Sequence, residues 1–302
     1  MDDMDFTKPQ PVAAPAAAPS APYKTSGSQF YDSKIAASLF KASGRSERFA
    51  IGDTLFVEAQ KASAGGLFSM RAASRMYFIA EGEVALTIAG RALDTATAGE
   101  VIGEMAVISE RPRSATATAK SACTAYSMSA EELKAAIAGK PEFAMMLMSV
   151  MFDRLRFVNA RIAARNIPVA PRAAEPAVFD PPLLARLEDA LPRTAIARYR
   201  ADAIIMREGQ TGAYMYVVKT GEVAITVREQ AIAIVKPGGT FGEMALVDQS
   251  PRSAAATAKS ECELLSIDRA ALLVAVKAQP EFAMAMLRAY AERLRYMNSL
   301  LG

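Results

Sequence analysis

The stretch IGEMAVISERPRSATATAKSAC at residues 102–123 returns without a gap as FGEMALVDQSPRSAAATAKSEC at residues 241–262. Gly103 therefore corresponds to Gly242, 139 positions later. The same displacement relates Gly82-Glu83-Val84-Ala85 to Gly221-Glu222-Val223-Ala224, Pro141-Glu142-Phe143-Ala144-Met145 to Pro280-Glu281-Phe282-Ala283-Met284, and Arg154-Leu155-Arg156 to Arg293-Leu294-Arg295. An internal repeat this long means one folded unit used twice. Even the two cysteines, Cys123 and Cys262, keep the displacement, and their place in an apolar stretch predicts buried core thiols. Upstream the register slips. Gln60 to Tyr77 spans 17 positions where Gln210 to Tyr216 spans 6, so the first copy carries 11 extra residues within 61–76, expected to form a surface loop.

The rest of the chain fits around these copies. Its 302 residues suffice for two domains, each with its own core, and 52% hydrophobic against 22% charged residues is ordinary globular composition. Residues 1–29 begin acidic and turn Pro/Ala/Ser-rich, predicting a disordered arm. Prolines at 168, 171, 176, 181 and 182 predict a linker over 168–181, which leaves domains at 30–167 and 182–302. No apolar run reaches the length of about 18 residues that suggests a membrane span, no secretion signal precedes the arm, and two thiols fit a reducing compartment. A cytoplasmic protein without membrane insertion is expected.

Histidine and tryptophan are both absent. Triads that need imidazole, His-ligated zinc and histidine pH switches are thereby excluded within this chain. The net charge is only +3, with basic residues scattered among acidic ones, so a polyanion-binding surface is not indicated.

Within each copy the periodicity changes from strand to helix. Runs such as MYFIA, EVALTI and TAYSM in the first copy, and YMYVV, EVAITV and CELLSI in the second, are split by glycine turns, as in an all-β barrel or sandwich. After them Phe143, Leu147, Met151, Leu155, Val158 and Ile162 recur at helical spacing, as do Phe282, Met286, Tyr290, Leu294 and Met297. A proline in the first turn starts each helix, and a shorter helix near 31–41 and 182–191 precedes each β region.

One motif in each copy carries chemistry. Gly-Glu is followed nine residues later by arginine, Glu104 with Arg113 and Glu243 with Arg252. Glycine admits close backbone approach, a helical turn starting there aims N–H groups at an anion, and arginine offers a planar fork of donors to phosphate. The glutamate, which repels phosphate, must either pair with the arginine or accept from neutral hydroxyls. A phosphate with a neighbouring sugar hydroxyl would use both.

These stretches, Gly103-Glu104-Met105-Ala106 through Arg113-Ser114-Ala115 and Gly242-Glu243-Met244-Ala245 through Arg252-Ser253-Ala254, resemble the phosphate-binding cassette of cyclic-nucleotide-binding domains. The resemblance covers nearly everything outside the arm and linker. It implies a mainly β fold with flanking α: two tandem jelly-roll-like β-rolls, each with a leading helix and C-terminal helices. It also implies roles. Glu104 and Glu243 would accept the ribose 2′-hydroxyl, Arg113 and Arg252 would hold the exocyclic phosphate oxygens, and Ser114 and Ser253 would add a hydroxyl and an N–H. The glycines, with the N–H groups of Met105, Ala106, Met244 and Ala245, would complete the cradle. Asn159 and Asn298, at equivalent positions of the C-terminal helices, are base-contact candidates, with Arg156, Phe157, Tyr296 and Met297 as competing lids.

Serine after the arginine occurs in members that bind cyclic AMP, which is favoured here over cyclic GMP. No other cofactor and no metal is expected. The chain offers no helix-turn-helix after the last helix, so direct DNA binding is not expected. The leading expectation is a free-standing, non-enzymatic receptor that regulates an unidentified protein, with homodimerisation through the C-terminal helices. The alternatives are a nucleotide-hydrolysing enzyme and a scaffold with vestigial sites.

Overall fold

The computed structural model describes residues 31–59, 74–165, 167, 177–248 and 251–300; within these, the side chains of Asn159, Ala163, Thr194, Ala245, Val247 and Asp248 are outside the description. The arm, most of the extra segment of the first copy and most of the linker fall outside the described residues.

Each copy begins with a short helix, α1 (Ser33–Ser43) or α5 (Pro181–Asp189), capped by an aspartate. Asp32 accepts from the N–H groups of Lys34 and Ile35, and Asp180 from that of Leu183. In the first copy β1 (Arg45–Phe49), β2 (Thr54–Phe56), β3 (Met76–Glu81), β4 (Glu83–Ile88), β5 (Arg91–Thr97), β6 (Val101–Ile102), β7 (Thr116–Ala119) and β8 (Cys123–Met128) form two antiparallel sheets, ordered β1-β8-β3-β6 and β2-β7-β4-β5. In the second, β9 (Ile196–Tyr199), β10 (Ile204–Met206), β11 (Tyr214–Thr220), β12 (Val223–Val227), β13 (Gln230–Val235), β14 (Thr240–Phe241), β15 (Ala255–Ala258) and β16 (Cys262–Asp268) repeat that order as β9-β16-β11-β14 and β10-β15-β12-β13. Irregularities in register repeat as well. One lies between Ile79 and Glu81 and again between Val218 and Thr220; another lies between Leu86 and Thr87 and again between Ile225 and Thr226. The fold is thus mainly β with flanking helices, two rolls in tandem.

The inside of each roll is an apolar cluster of its own. Phe56, Tyr77, Ile79, Val84, Ile102, Ala117 and Cys123 fill the first; Met206, Val218, Val223, Ile225, Phe241, Ala256 and Cys262 fill the second. Alternation in β7 and β15 sends alanine inward each time, keeping the two sheets of a roll close. Both cysteines are buried and free, and their thiols donate to main-chain oxygens, Cys123 to Glu83 and Cys262 to Glu222. Their matched placement has a steric partner. Gly82 (φ 90°) and Gly221 (φ 85°) lie against them, and a Cβ there would stand 2.6 Å and 2.7 Å from the respective Sγ.

Two helices follow each roll where the sequence pattern outlines one. They are α3 (Ala130–Gly139) with α4 (Glu142–Ala164), and α7 (Arg269–Ala278) with α8 (Pro280–Ser299). Pro280 opens α8, whereas Pro141 lies just before α4. The predicted heptad-like series is buried in both long helices, from Phe143 to Ile162 and from Phe282 to Leu294, with Met297 partly buried. These faces do not cover only their own roll. Helices α4 and α8 pack on each other, with the rings of Phe152 and Tyr290 at 4.7 Å, and one cluster of buried side chains runs through the helices of both copies. The helix faces expected to pair between two copies of the chain are paired within it. No single helix among the described residues is long and apolar enough to cross a membrane.

A methyl group at Gly82 or Gly221 meets both a left-handed backbone and a filled core. Gly82→Ala and Gly221→Ala should each lower unfolding free energy by about 2–4 kcal/mol. Urea denaturation checks this, and a wild-type midpoint would contradict it.

Candidate functional site

The repeated Gly-Glu sits where a strand ends and a short helix begins. Val101–Ile102 runs into Gly103 (φ 74°), then α2 (Glu104–Ser109); Thr240–Phe241 runs into Gly242 (φ 77°), then α6 (Glu243–Asp248). The left-handed glycine turns the chain sharply, and the first N–H groups of the helix stay free of intrahelical acceptors. All six residues of α2 are buried, Glu104 among them.

Each motif arginine folds back onto that turn. Arg113 donates from Nη1 to Gly103 O at 2.9 Å and from Nη2 to Arg75 O at 2.7 Å. Arg252 repeats this with Gly242 O and Tyr214 O, both at 2.5 Å. The side chains are 7% and 5% exposed, and burial pulls both guanidiniums down from their ordinary pKa. Among the described residues no carboxylate forms an ion pair with either one. Close approach is built in, because a Cβ on Gly103 or Gly242 would stand 2.6 Å from the arginine's Nη1. The floors differ between copies. Arg113 lies 4.2 Å over the ring of Phe56, itself stacked on Tyr77, whereas the position matching Phe56 is Met206, and Gly212 abuts the guanidinium of Arg252.

Glu104 does not pair with the motif arginine. Its carboxylate is ion-paired with Arg154 from α4, while Arg113 exerts only a longer-range attraction. The structure thus brings together Gly103, Glu104, Met105, Ala106 and Arg113 in one turn, and Gly242, Glu243, Met244 and Arg252 in the other. Ser114 and Ser253 lie exposed beside the arginines, with Ala115 and Ala254 buried behind them. The hydroxyl of Thr116, which Ala255 replaces in the second copy, accepts from Glu58 N at 2.9 Å.

The base-contact candidates are not brought to the turns in the same way. The side chains of Asn159 and Ala245 lie outside the described residues. Asn298 is exposed near the end of α8, Arg156 pairs with Asp153, and Phe157 and Met297 pack on the helical core. Sequence reasoning missed Arg154, Phe56 and Gly212. The first had a signal, since Arg154 and Arg293 belong to a repeated triplet.

The profile of the cyclic nucleotide-binding domain matches residues 67–140 and 196–279, covering both turns and both arginines. The chain belongs to that family. Curated cyclic nucleotide-binding relatives include the CRP-like cAMP-activated global transcriptional regulator of Mycobacterium tuberculosis (strain ATCC 25618 / H37Rv), 34% identical over 103 residues, or 32% of this chain and 46% of the relative. A cAMP-dependent protein kinase regulatory subunit of Hypocrea atroviridis is 26% identical over 181 residues, 60% of this chain and 35% of the relative. The matches thus span less than half the length of these two relatives. Among solved structures, the Thermus thermophilus Catabolite Activator Protein is similar at 28% identity over 42% of this chain and 62% of that one, with a TM-score of 0.37.

The ion pair beneath the first cassette gives a direct test of the packing. Arg154→Met would strand the buried Glu104 carboxylate and should cost about 2–3 kcal/mol of stability at neutral pH. Adding Glu104→Gln should recover most of that loss in urea denaturation; a double variant no more stable than the single one would refute this account.

Proposed function

We propose that this chain is a two-site receptor for a cyclic nucleotide, cyclic AMP before cyclic GMP, that regulates a partner protein and leaves its ligand unchanged. One observation carries the reading. Each cassette buries a guanidinium satisfied by main-chain carbonyls, beside a left-handed glycine and a helix start, with no carboxylate paired to it among the described residues. A buried cation held this way gains most from an anionic acceptor, and a phosphate would give the fork charge-assisted bonds in place of neutral ones.

The remaining roles follow from chemistry. Glu104, anchored by Arg154, keeps lone pairs with which to accept a ribose 2′-hydroxyl, and Glu243 is assigned the same role. The N–H groups at Met105, Ala106, Met244 and Ala245, with Ser114 and Ser253, would surround the phosphate, and Ala115 and Ala254 would back it. Asn159 and Asn298 remain the proposed base contacts, reached by movement of their helices. We place the domains at 30–167 and 182–302, joined by 168–181, and the receptor in the cytoplasm, where its buried free thiols would stay reduced.

Preference for cyclic AMP rests on the serine that follows each arginine. Output would pass through α4 and α8, which carry apolar contacts between the copies. A hydrolase is the weaker reading, because the buried carboxylate of the first cassette, Glu104, is already engaged with Arg154.

Isothermal calorimetry with cyclic AMP and cyclic GMP tests the proposal. Two sites are expected in the wild type, with cyclic AMP tighter. Arg113→Ala and Arg252→Ala should each weaken their own site by about two to three orders of magnitude. Two intact sites in the double variant would reject the assignment, and turnover of cyclic AMP in Mg²⁺ or Mn²⁺ would reverse the choice between receptor and enzyme.

A further inference from the structure

Helix α8 belongs to the second copy, yet its polar face is spent on the cassette of the first. Arg288 reaches the C-terminal end of α2, with Nε 3.4 Å from Ile108 O and Nη2 2.8 Å from Glu110. One turn further, Glu292 accepts from Arg111 at 3.0 Å, and Arg295 donates to Ser109 Oγ at 3.3 Å. A third ion pair, Lys134 with Glu281 at 2.6 Å, ties α3 to the start of the same helix. Arginine beside the last carbonyls of a helix both caps it and complements its dipole. Helix α2 has only six residues, and its C-cap Glu110 is left-handed at φ 54°. Its end is therefore held from outside, by the other copy.

The reverse arrangement cannot repeat these three ion pairs. Positions matching Arg288, Glu110, Arg111 and Lys134 are Ser149, Gln249, Ser250 and Leu273. Ser149 is fully buried and donates to Met146 O of its own helix at 2.8 Å.

We propose that α8 is a one-sided positioning clamp for the first cassette: Arg288 and Glu292, gripping Glu110 and Arg111, hold the turn that leads into Arg113. The copies thereby become unequal. The first site depends on docking of α8 and on ionic strength; the second lacks the residues for these three ion pairs. This rests on the receptor reading for its effect on affinity, but not for the clamp itself. The pairs are half-exposed, so each contributes modestly, and their effect comes through keeping the turn preorganised.

The test reverses the charges on α8 in the full chain with Arg288→Glu and Glu292→Arg, then restores complementarity by adding Glu110→Arg and Arg111→Glu. Without nucleotide, amide exchange over 104–111 should quicken roughly threefold or more on reversal, return toward wild type on restoration, and leave 243–248 unchanged. In wild type, about 1 M salt, where the Debye length is about 3 Å, should reproduce part of the reversal. Unchanged exchange over 104–111, or equal change in both segments, would overturn the clamp. With Arg252→Ala silencing the second site, reversal should weaken cyclic AMP binding at the first about three- to tenfold; with Arg113→Ala silencing the first, the second should shift less than about twofold. Equal shifts, or none, would overturn the positioning role. Absence of nucleotide binding in wild type would overturn the receptor reading, and the exchange result would still decide the clamp.

Discussion

The structure is organised by the burial of two cations. A guanidinium withdrawn from water is costly unless its donors are met. Here the acceptors are main-chain oxygens, and supplying them fixes a great deal of the surrounding chain. The residue before β3 or at the start of β11 must present its carbonyl to one arm of the fork, and a glycine in left-handed conformation must present its own to the other. Arg113 also rests on Phe56 at the end of β2, which belongs to the opposite sheet. The arginine thus ties the open ends of two sheets to the start of a helix.

Much of this was legible in the sequence because the repeat acts as its own alignment. Matched glycines, matched cysteines and a fixed Glu-to-Arg spacing marked turns, core and site without a second sequence. Runs such as MYFIA and EVALTI, YMYVV and EVAITV, and the three- and four-residue steps from Phe143 and from Phe282, outlined the rolls and their long helices. What stayed hidden depends on distance in space. Arg154 stands 50 positions from Glu104, and the repeated triplet marks it no more than Arg156. Phe56 reads as one more apolar residue of a strand until Arg113 is laid over it. Periodicity outlined only the long helix after each roll; α3, one of the C-terminal helices that the family resemblance implied, is marked instead by a capping box at Ser129 and Glu132.

Packing of the long helices on each other changes what the two copies are to one another. Each roll has its own interior, but the helices share a core in which Phe152 of one copy meets Tyr290 of the other. The first cassette meets both of these helices. Helix α4 holds Glu104 from within the first copy, and α8 touches the far end of the same short helix from the second.

Two separate molecules meeting across an isologous interface would have to carry every substitution twice, once on each side. Here both halves lie on one chain, and each half mutates alone. An arginine could enter at position 288 while serine stayed at 149. Covalent fusion therefore releases a symmetric pair from symmetry, and lets two copies of one domain differ at the positions where they face each other.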